Sequence, residues 1–186
     1  VFLARAMDLS WERGFLTRFA RSVPVPHSWA IWLESPGNGI VLWPVVLTAG
    51  GIAAWRRRPL AALTMLVGFV LLDAAVLLGW NVWERPRPAG GHSFSAFPSG
   101  HVSQTLVAYG LLIELWLQQT RIRGERLLGW TLLALLTLMV AVGRTALGAH
   151  WPSDIAAGSI LGLFWLMILI RSLRRGERAR MQRKHG

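Results

Sequence analysis

The sequence contains no cysteine, and Lys184 is the only lysine among its 20 Lys and Arg residues. The absence of cysteine excludes disulfide scaffolds and thiolate metal sites. The sequence also lacks the alternating polar and apolar pattern of a membrane-barrel strand. Apolar residues dominate instead: 53% of the 186 residues are hydrophobic, and the mean hydropathy is +0.42. This composition is too apolar for an ordinary soluble domain and indicates a membrane protein.

Five apolar segments approach the roughly 20 residues that an α-helix needs to cross a hydrocarbon core of about 30 Å. They cover residues 39–55, 60–83, 102–117, 127–142 and 155–170. Helices are expected because a backbone exposed to lipid must satisfy its own hydrogen bonds. Tryptophans lie near the ends of these segments, as is typical of residues at the membrane interface. We therefore predict an all-α, polytopic membrane helical bundle that forms a single domain over residues 1–186.

The two ends of the chain differ from its apolar middle. Residues 4–23 mix Leu, Phe and Trp with Arg, Asp and Glu, which predicts an interfacial amphipathic helix within an N-terminal segment of residues 1–37. The sequence starts at Val1 without an initiator methionine, and an upstream helix would add a sixth span and place the N-terminus in the cytoplasm. Residues 171–186 form a basic tail, which we expect to be a cytoplasmic, membrane-flanking anchor.

Positive charge is distributed unevenly between the two ends of the predicted bundle. The net charge is +11, but no basic groove interleaved with aromatic residues is present, so we expect membrane lipids as partners and no nucleic acid. One face collects most of the basic residues, namely Arg56, Arg57, Arg58, Arg121, Arg123, Arg126, Arg171, Arg174, Arg175, Arg178, Arg180, Arg183 and Lys184. The positive-inside rule predicts that this face is cytoplasmic.

Two loops on the opposite face concentrate the residues with chemical function. The first motif loop, residues 85–101, contains Arg87 and ends in Pro-Ser-Gly-His, and the second motif loop covers residues 144–154. Ser99 and Gly100 precede an apolar segment and should begin a helix. The free N–H groups and the dipole of a helix N-terminus favour an anion. The sequence thus predicts an anion site on the extracytoplasmic face.

The side chains of these loops fit phosphate chemistry. Arg87 and Arg144 offer guanidinium groups for bidentate contacts with phosphate oxygens. Asp154 lies four residues after His150, so its carboxylate can accept a hydrogen bond from one imidazole nitrogen and leave the other as a nucleophile. A zinc site that also used His92 is a rival interpretation. Because the neighbouring arginines would repel a cation, we expect no metal.

These motifs resemble those of the type 2 phosphatidic acid phosphatase superfamily, lipid phosphate phosphatases whose site is related to that of vanadium haloperoxidases. The second family motif, Pro-Ser-Gly-His, is intact at residues 98–101. The third motif, which pairs Ser-Arg with a later His and Asp, is present at residues 143–154 with Gly143 in place of serine. The first motif matches only at Arg87-Pro88, because Trp80 occupies the position of its lysine.

The resemblance covers roughly residues 36–170 and implies a mechanism without a cofactor. His150 would attack phosphorus and form a phosphohistidine, Asp154 would orient it, and His101 would protonate the leaving oxygen. The residues that would bind the phosphoryl oxygens are Arg87, Ser99, Gly100 and Arg144. The loss of the motif serine at Gly143 would remove at most a local hydrogen bond.

Two functions stay open at this point. The favoured one is a membrane phosphatase that hydrolyses undecaprenyl diphosphate or phosphatidate at the extracytoplasmic face of a bacterial inner membrane. The alternative is a catalytically impaired relative that binds lipid phosphates, because Trp80 replaces the lysine. Arg85 is the candidate for the missing charge, unless Glu84 neutralises it. Asp73 and Glu114 lie inside apolar segments, where ionisable residues are either functional or paired within the bundle.

Overall fold

The computed structural model describes residues 10–90, 95–120 and 122–185, and all regular structure within these ranges is helical. The α-helices are α1 (Ser10–Ser22), α2 (His27–Glu34), α3 (Gly39–Trp55), α4 (Pro59–Trp83), α5 (Gly100–Leu117), α6 (Arg123–Ala146) and α7 (Pro152–His185). A 3-10 turn, Ser35–Gly37, joins α2 to α3. The predicted all-α fold is confirmed.

Within the described ranges, four helical segments are long and apolar enough to cross a membrane, one fewer than predicted. They are His27–Trp55, Pro59–Trp83, Arg123–Ala146 and Pro152–Gly176. The first is longer than expected because α2 continues through the 3-10 turn into α3. The remaining predicted span is α5, whose hydropathy is lowered by polar side chains. Its Ser103, Thr105 and Glu114 are buried and therefore face protein rather than lipid.

α5 lies at the centre of the bundle, in contact with α3, α4, α6 and α7. α7 approaches it closely at two glycines spaced four residues apart. A Cβ at Gly158 would lie 2.5 Å from the carbonyl oxygen of Ser99, and one at Gly162 would lie 2.8 Å from the Cα of Ser103. Small residues at this spacing let membrane helices meet at backbone distance. The contact holds the start of α5 against α7 and brings the two motif loops together.

The outer surface of the bundle is apolar. Large aliphatic side chains on three helices are more than half exposed, among them Leu63, Leu78, Leu135 and Ile160. A soluble monomer rarely presents so many contiguous apolar side chains to water, whereas lipid tails cover them. The protein is therefore an integral membrane protein.

Both acidic residues inside the apolar segments have partners. The fully buried Glu114 accepts two hydrogen bonds from Arg174, at 2.8 and 3.0 Å. Asp73 Oδ1 accepts a hydrogen bond of 2.6 Å from Gln104 Nε2, which joins α4 to α5. The sequence left open whether these two acids are functional or are paired within the bundle, and the structure shows that both are paired.

Two of the basic clusters predicted to share one face, represented by Arg56 and Arg58 and by Arg174, meet at the same end of the bundle. Arg56 Nη1 donates to the carbonyl oxygen of Leu115 at 3.3 Å, and Arg58 Nη1 donates to Gln118 Oε1 at 2.7 Å. These contacts join the loop between α3 and α4 to the end of α5, one turn from the Glu114 pair. The motif loops lie at the other end of α5.

α1 corresponds to the predicted amphipathic helix, of which residues 4–9 fall outside the described ranges. Trp11 and Phe15 are exposed, and the rings of Phe15 and Phe19 stack with centroids 6.2 Å apart. Arg13 is exposed on the same short helix. Glu12, by contrast, is only 1% exposed, so this helix is anchored to the protein by a charged residue.

Candidate active site

His150 lies in the loop between α6 and α7 and is 1% exposed. Its Nδ1 lies 2.8 Å from the carbonyl oxygen of Ala96, and because a carbonyl only accepts, Nδ1 carries the proton. Nε2 therefore holds the lone pair, and it lies 3.3 Å from Arg144 Nη2. Asp154 Oδ2 is 3.8 Å from Nδ1, beyond hydrogen-bond distance. Asp154 had been predicted to accept the hydrogen bond of the His150 ring, and this was wrong. The backbone carbonyl of Ala96 accepts it and fixes the tautomer.

Asp154 is fully buried and engaged at both carboxylate oxygens. Oδ2 accepts a hydrogen bond of 2.7 Å from the backbone N–H of Trp151, and Oδ1 accepts one from Arg85 Nη1. Trp151 directly precedes α7, and Asp154 is the third residue of that helix. A side-chain acceptor at the third position commonly binds the backbone N–H of the residue before the helix and so caps the helix. The carboxylate therefore lies close enough to stabilise a positive charge on His150 while its hydrogen bonds go elsewhere.

Arg85, the candidate for the missing charge of the lysine, is engaged by other protein side chains. Its guanidinium is 3% exposed and forms ion pairs with the carboxylates of Asp154 and Glu12. It also donates to Ser153 Oγ at 2.6 Å. In the described part of the chain, Arg85 is therefore neutralised by Glu12 and Asp154 and not by the adjacent Glu84.

Trp80, at the position of the family's lysine, supports the first motif loop. Its Nε1 donates a hydrogen bond of 3.0 Å to the carbonyl oxygen of Pro98. The indole ring also packs on the start of α5, since a Cβ at Gly100 would lie 3.2 Å from it. The residue shapes the turn before α5 and offers no charge.

His101, the second residue of α5, pairs with a residue that the sequence did not reveal. Its Nε2 lies 2.9 Å from Oδ1 of Asn38, which precedes α3. Burial, followed by the positive charge of Arg144, the neighbouring His150 and the charge of Arg87, lowers the pKa of His101 to about 3. Burial also lowers the pKa of His150. Both imidazoles are therefore neutral at pH 7.

The surroundings of His150 are suited to an anion. Arg144 is 7% exposed; Nη1 pairs with Glu34, while Nε is buried without a hydrogen-bond partner among the described residues. Ser99 Oγ is likewise buried and unpartnered within these ranges. Burial, followed by the positive charge of Arg144, lowers the pKa of Arg87. An oxyanion bound beside Arg87 and Arg144 would accept hydrogen bonds from these unsatisfied donors.

The N-terminus of α5 adds backbone donors to this site. Ser99 precedes the first helical residue, as predicted, and its side chain makes no capping hydrogen bond. The first N–H groups of a helix have no intrahelical acceptor, and the helix dipole favours an anion there. The backbone N–H of Ser99 itself donates to the carbonyl oxygen of Asp154 at 3.0 Å, which ties the two motif loops together.

Gly143 stands at the position of the motif serine. The missing side chain does more than remove a local hydrogen bond, because it lets another helix approach. A Cβ at this position would lie 2.7 Å from the backbone nitrogen of Glu34 and 2.8 Å from the carbonyl oxygen of Ala30. α2 therefore packs directly on the backbone of α6. This contact places Glu34 beside Arg144.

Four residues at the site had not been predicted: Glu12, Glu34, Asn38 and Ala96. Each meets its partner at a sequence separation of at least 54 residues. Asn38, which precedes an apolar helix, carried a recognisable helix-start signal, but nothing in the sequence linked it to His101. His92 lies outside the described residues. Among those described, no group of three or more His, Asp and Glu side chains is arranged to hold a metal ion.

The fold and the site define a helical membrane protein with a buried, arginine-lined oxyanion site around a histidine. The chain belongs to the PAP2 superfamily, whose family model matches residues 58–178. The family expected from the motifs is thus confirmed.

Two curated relatives and one solved structure are similar to the chain. It is 31% identical over 134 residues to the decaprenylphosphoryl-5-phosphoribose phosphatase of Mycobacterium tuberculosis, in both strain CDC 1551 / Oshkosh and strain ATCC 25618 / H37Rv, covering 68% of each chain. The fold resembles the crystal structure of a transmembrane PAP2 type phosphatidylglycerolphosphate phosphatase from Bacillus subtilis, with a TM-score of 0.75 and 20% identity over 90% of this chain and 88% of that chain.

Proposed function

We propose that this protein is a metal-independent phosphatase that hydrolyses a lipid phosphate or lipid diphosphate through a phosphohistidine on His150. The observation that carries the proposal is the orientation of the His150 ring. Its Nδ1–H is fixed by the Ala96 carbonyl, and the lone pair on Nε2 lies beside Arg144 in a buried, arginine-lined site. Membership of the PAP2 superfamily and the phosphatase names of the relatives support it.

In the first step, Nε2 of His150 attacks phosphorus and the bond between phosphorus and the lipid oxygen breaks. Arg87 and Arg144, with Ser99 and the N-terminus of α5, would hold the phosphoryl oxygens, whose charge needs a preorganised environment. His101 relays the proton that the phosphate monoanion carries to the departing oxygen, so that the lipid leaves as an alcohol or as a lipid phosphate.

Attack by Nε2 leaves a positive charge on the His150 ring. The proton on Nδ1 stays hydrogen-bonded to Ala96, and the Asp154 carboxylate at 3.8 Å stabilises the cation without taking the proton. In the second step, water attacks phosphorus and the bond to Nε2 breaks. His101 takes the proton of that water and passes it to the departing phosphate, so that orthophosphate is released and His101 is neutral again.

The substrate is proposed to be a membrane amphiphile that carries a terminal phosphate. The apolar outer surface of the bundle, with the site at one end of the helices, supports a substrate whose phosphate headgroup lies at the membrane surface. One relative is named for a decaprenylphosphoryl sugar phosphate and the other for phosphatidylglycerolphosphate, and both names describe a phosphate ester on a lipid. Undecaprenyl diphosphate and phosphatidate, favoured from the sequence, belong to the same chemical class.

A substrate panel tests the proposal. We expect purified protein in detergent to release phosphate from at least one of phosphatidate, undecaprenyl diphosphate, phosphatidylglycerophosphate and a polyprenylphosphoryl sugar phosphate, with activity unchanged by EDTA. The His150→Ala variant, purified in parallel, reveals any contaminating phosphatase. Failure on every substrate, with orthophosphate still bound, would favour the alternative of a lipid-phosphate-binding relative. Loss of activity with EDTA would overturn metal independence.

The site is further proposed to face away from the cytoplasm, because the basic clusters lie at the opposite end of the bundle. The chain has no native cysteine, so single cysteines can be introduced cleanly. Ala89→Cys, in the first motif loop, should react with an impermeant thiol reagent in intact cells, whereas Gly124→Cys should not. Both positions are exposed. The reverse labelling pattern would contradict the orientation.

A further inference from the structure

The interfacial helix α1 reaches into the site through one side chain. Glu12, in the first turn of α1, is 1% exposed although the helix around it carries exposed aromatic and basic residues. Its Oε2 pairs with Arg85 Nη2, and its Oε1 accepts a hydrogen bond of 2.9 Å from the backbone N–H of Ser153. A buried charge with two partners is an ordered contact, which an exposed surface pair seldom is.

Glu12 continues a line of contacts that ends at His150. Arg85 pairs with Glu12 at one nitrogen and with Asp154 at the other, and the Asp154 carboxylate lies 3.8 Å from Nδ1 of His150. Glu12, Arg85, Asp154 and His150 are each 3% exposed or less. Water is therefore poorly placed to screen these charges from one another.

The charges along this line bear directly on the proposed chemistry. Arg85 is the counter-ion of Asp154, and an arginine shared with a second carboxylate neutralises each of them only in part. If Glu12 lost its charge, the whole positive charge of Arg85 would act on Asp154 and on the nearby His150 ring. A ring that becomes positive when Nε2 bonds to phosphorus would then be destabilised by the unbalanced guanidinium.

We propose, resting on the function proposed above, that Glu12 is a positioning residue of the phosphatase, which balances Arg85 so that Asp154 can stabilise the phosphorylated His150. α1 is then part of the active site and not only a membrane-surface anchor. Glu12 lies outside residues 58–178, which the family model matches. The 73 and 141 residues that separate it from Arg85 and Ser153 leave no local pattern to reveal the contact.

The central test removes the charge of Glu12 and keeps its shape. Glu12→Gln retains an oxygen to accept the Ser153 N–H, and we expect it to lower kcat about ten- to a hundredfold while KM changes less than about threefold. Glu12→Asp, which keeps the charge, should restore most of the loss. Glu125→Gln is the matched control, because Glu125 also lies in the first turn of its helix but at the basic end of the bundle, and it should behave like the wild type. A kcat unchanged in Glu12→Gln would overturn the proposal.

A double variant tests whether the effect passes through Arg85. Once Arg85 is replaced by Gln, there is no unbalanced charge, so adding Glu12→Gln should cost less than it does in the wild-type background. If the two losses simply multiply, Glu12 acts independently of Arg85 and the proposal fails. Melting temperatures measured beside the rates show whether lost stability accounts for lost rate. If Glu12→Gln does not fold, Glu12→Asp decides the proposal. A kcat near the wild-type value supports it, and a large loss of kcat overturns it.

A ligand-binding measurement separates this proposal from the function on which it rests. Vanadate can bond to Nε2 and mimic the five-coordinate phosphoryl group, whereas orthophosphate only occupies the anion site. In Glu12→Gln we expect vanadate to bind about tenfold more weakly and orthophosphate to bind within about threefold of the wild type. If the wild type binds vanadate but releases no phosphate from any lipid, the proposed function fails while the vanadate difference still decides the role of Glu12. Equal weakening of both anions would show a merely structural role and overturn the proposal.

Discussion

Replacing His150 by alanine is expected to abolish phosphate release, by a factor on the order of 10⁴ or more. The substitution removes the only imidazole whose lone pair lies against Arg144 in the described part of the site, and with it the proposed nucleophile. The measurement is single-turnover and steady-state release of phosphate from the best lipid of the panel. Acid-labile phosphate bound to the wild-type protein, and absent from the variant, would identify the intermediate.

His27 provides a matched control for this substitution. It is an exposed histidine at the start of α2, and His27→Ala should retain normal turnover. Because His150 is buried, the variant should also be compared with the wild type in thermal stability and in orthophosphate binding. A folded His150→Ala protein with near-normal turnover would remove His150 as the nucleophile.

Replacing His101 by alanine is expected to slow turnover by about 10²- to 10⁴-fold, with an effect that depends on the leaving group. An alkoxide needs a proton to depart, so phosphatidate should suffer most. A nitrophenyl phosphate, whose phenolate leaves without a proton, should suffer much less. The check is kcat/KM for both substrates in the wild type and in His101→Ala. An equal loss on both would show that His101 binds the phosphate or supports the loop, and does not act as a general acid.

The lowered pKa values of His101 and His150 determine the direction in which kcat/KM should change with pH. The pKa of His101 is about 3, against an ordinary value of 6.5, and that of His150 is lowered as well, so neither ring takes up a proton as the pH falls from 7 to 5. The proton for the leaving oxygen must then arrive with the substrate, whose phosphate monoester has a second pKa of about 6. We expect kcat/KM to rise from pH 8 to pH 6 and to show no acid limb near 6.5. An acid limb at that pH would contradict the pKa shifts.

The parts of the site that follow from short-range rules could be predicted from the sequence. α5 begins at Gly100 because the small polar Ser99 precedes an apolar run, and the Asp154 carboxylate lies near His150 because only three residues separate them. The hydrogen-bond acceptor of His150 could not be predicted. It is the carbonyl oxygen of Ala96, and every residue has a backbone carbonyl, so the sequence carries no mark of the one that is used.

The number of spans shows a similar limit. Hydropathy averages over all faces of a helix, and α5 has polar side chains because its neighbours are other helices. Ser103, Thr105 and Glu114 are buried in protein contacts, so the polarity of this segment reflects its central position rather than exposure to water. The contact between α2 and α6 was equally hidden, since only packing shows that Gly143 leaves no space for a side chain.

Gly143 also constrains how such sequences can diverge. A serine at this position has no room unless α2 moves away from α6, and Glu34 would then move with it, out of reach of Arg144. The residue at position 143 and the acidic residue at the end of α2 should therefore change together among homologues. Restoring the family's serine alone would introduce a clash rather than repair a motif. A departure from the family motif can thus indicate that a neighbouring helix packs closely at that position and contributes a side chain to the site.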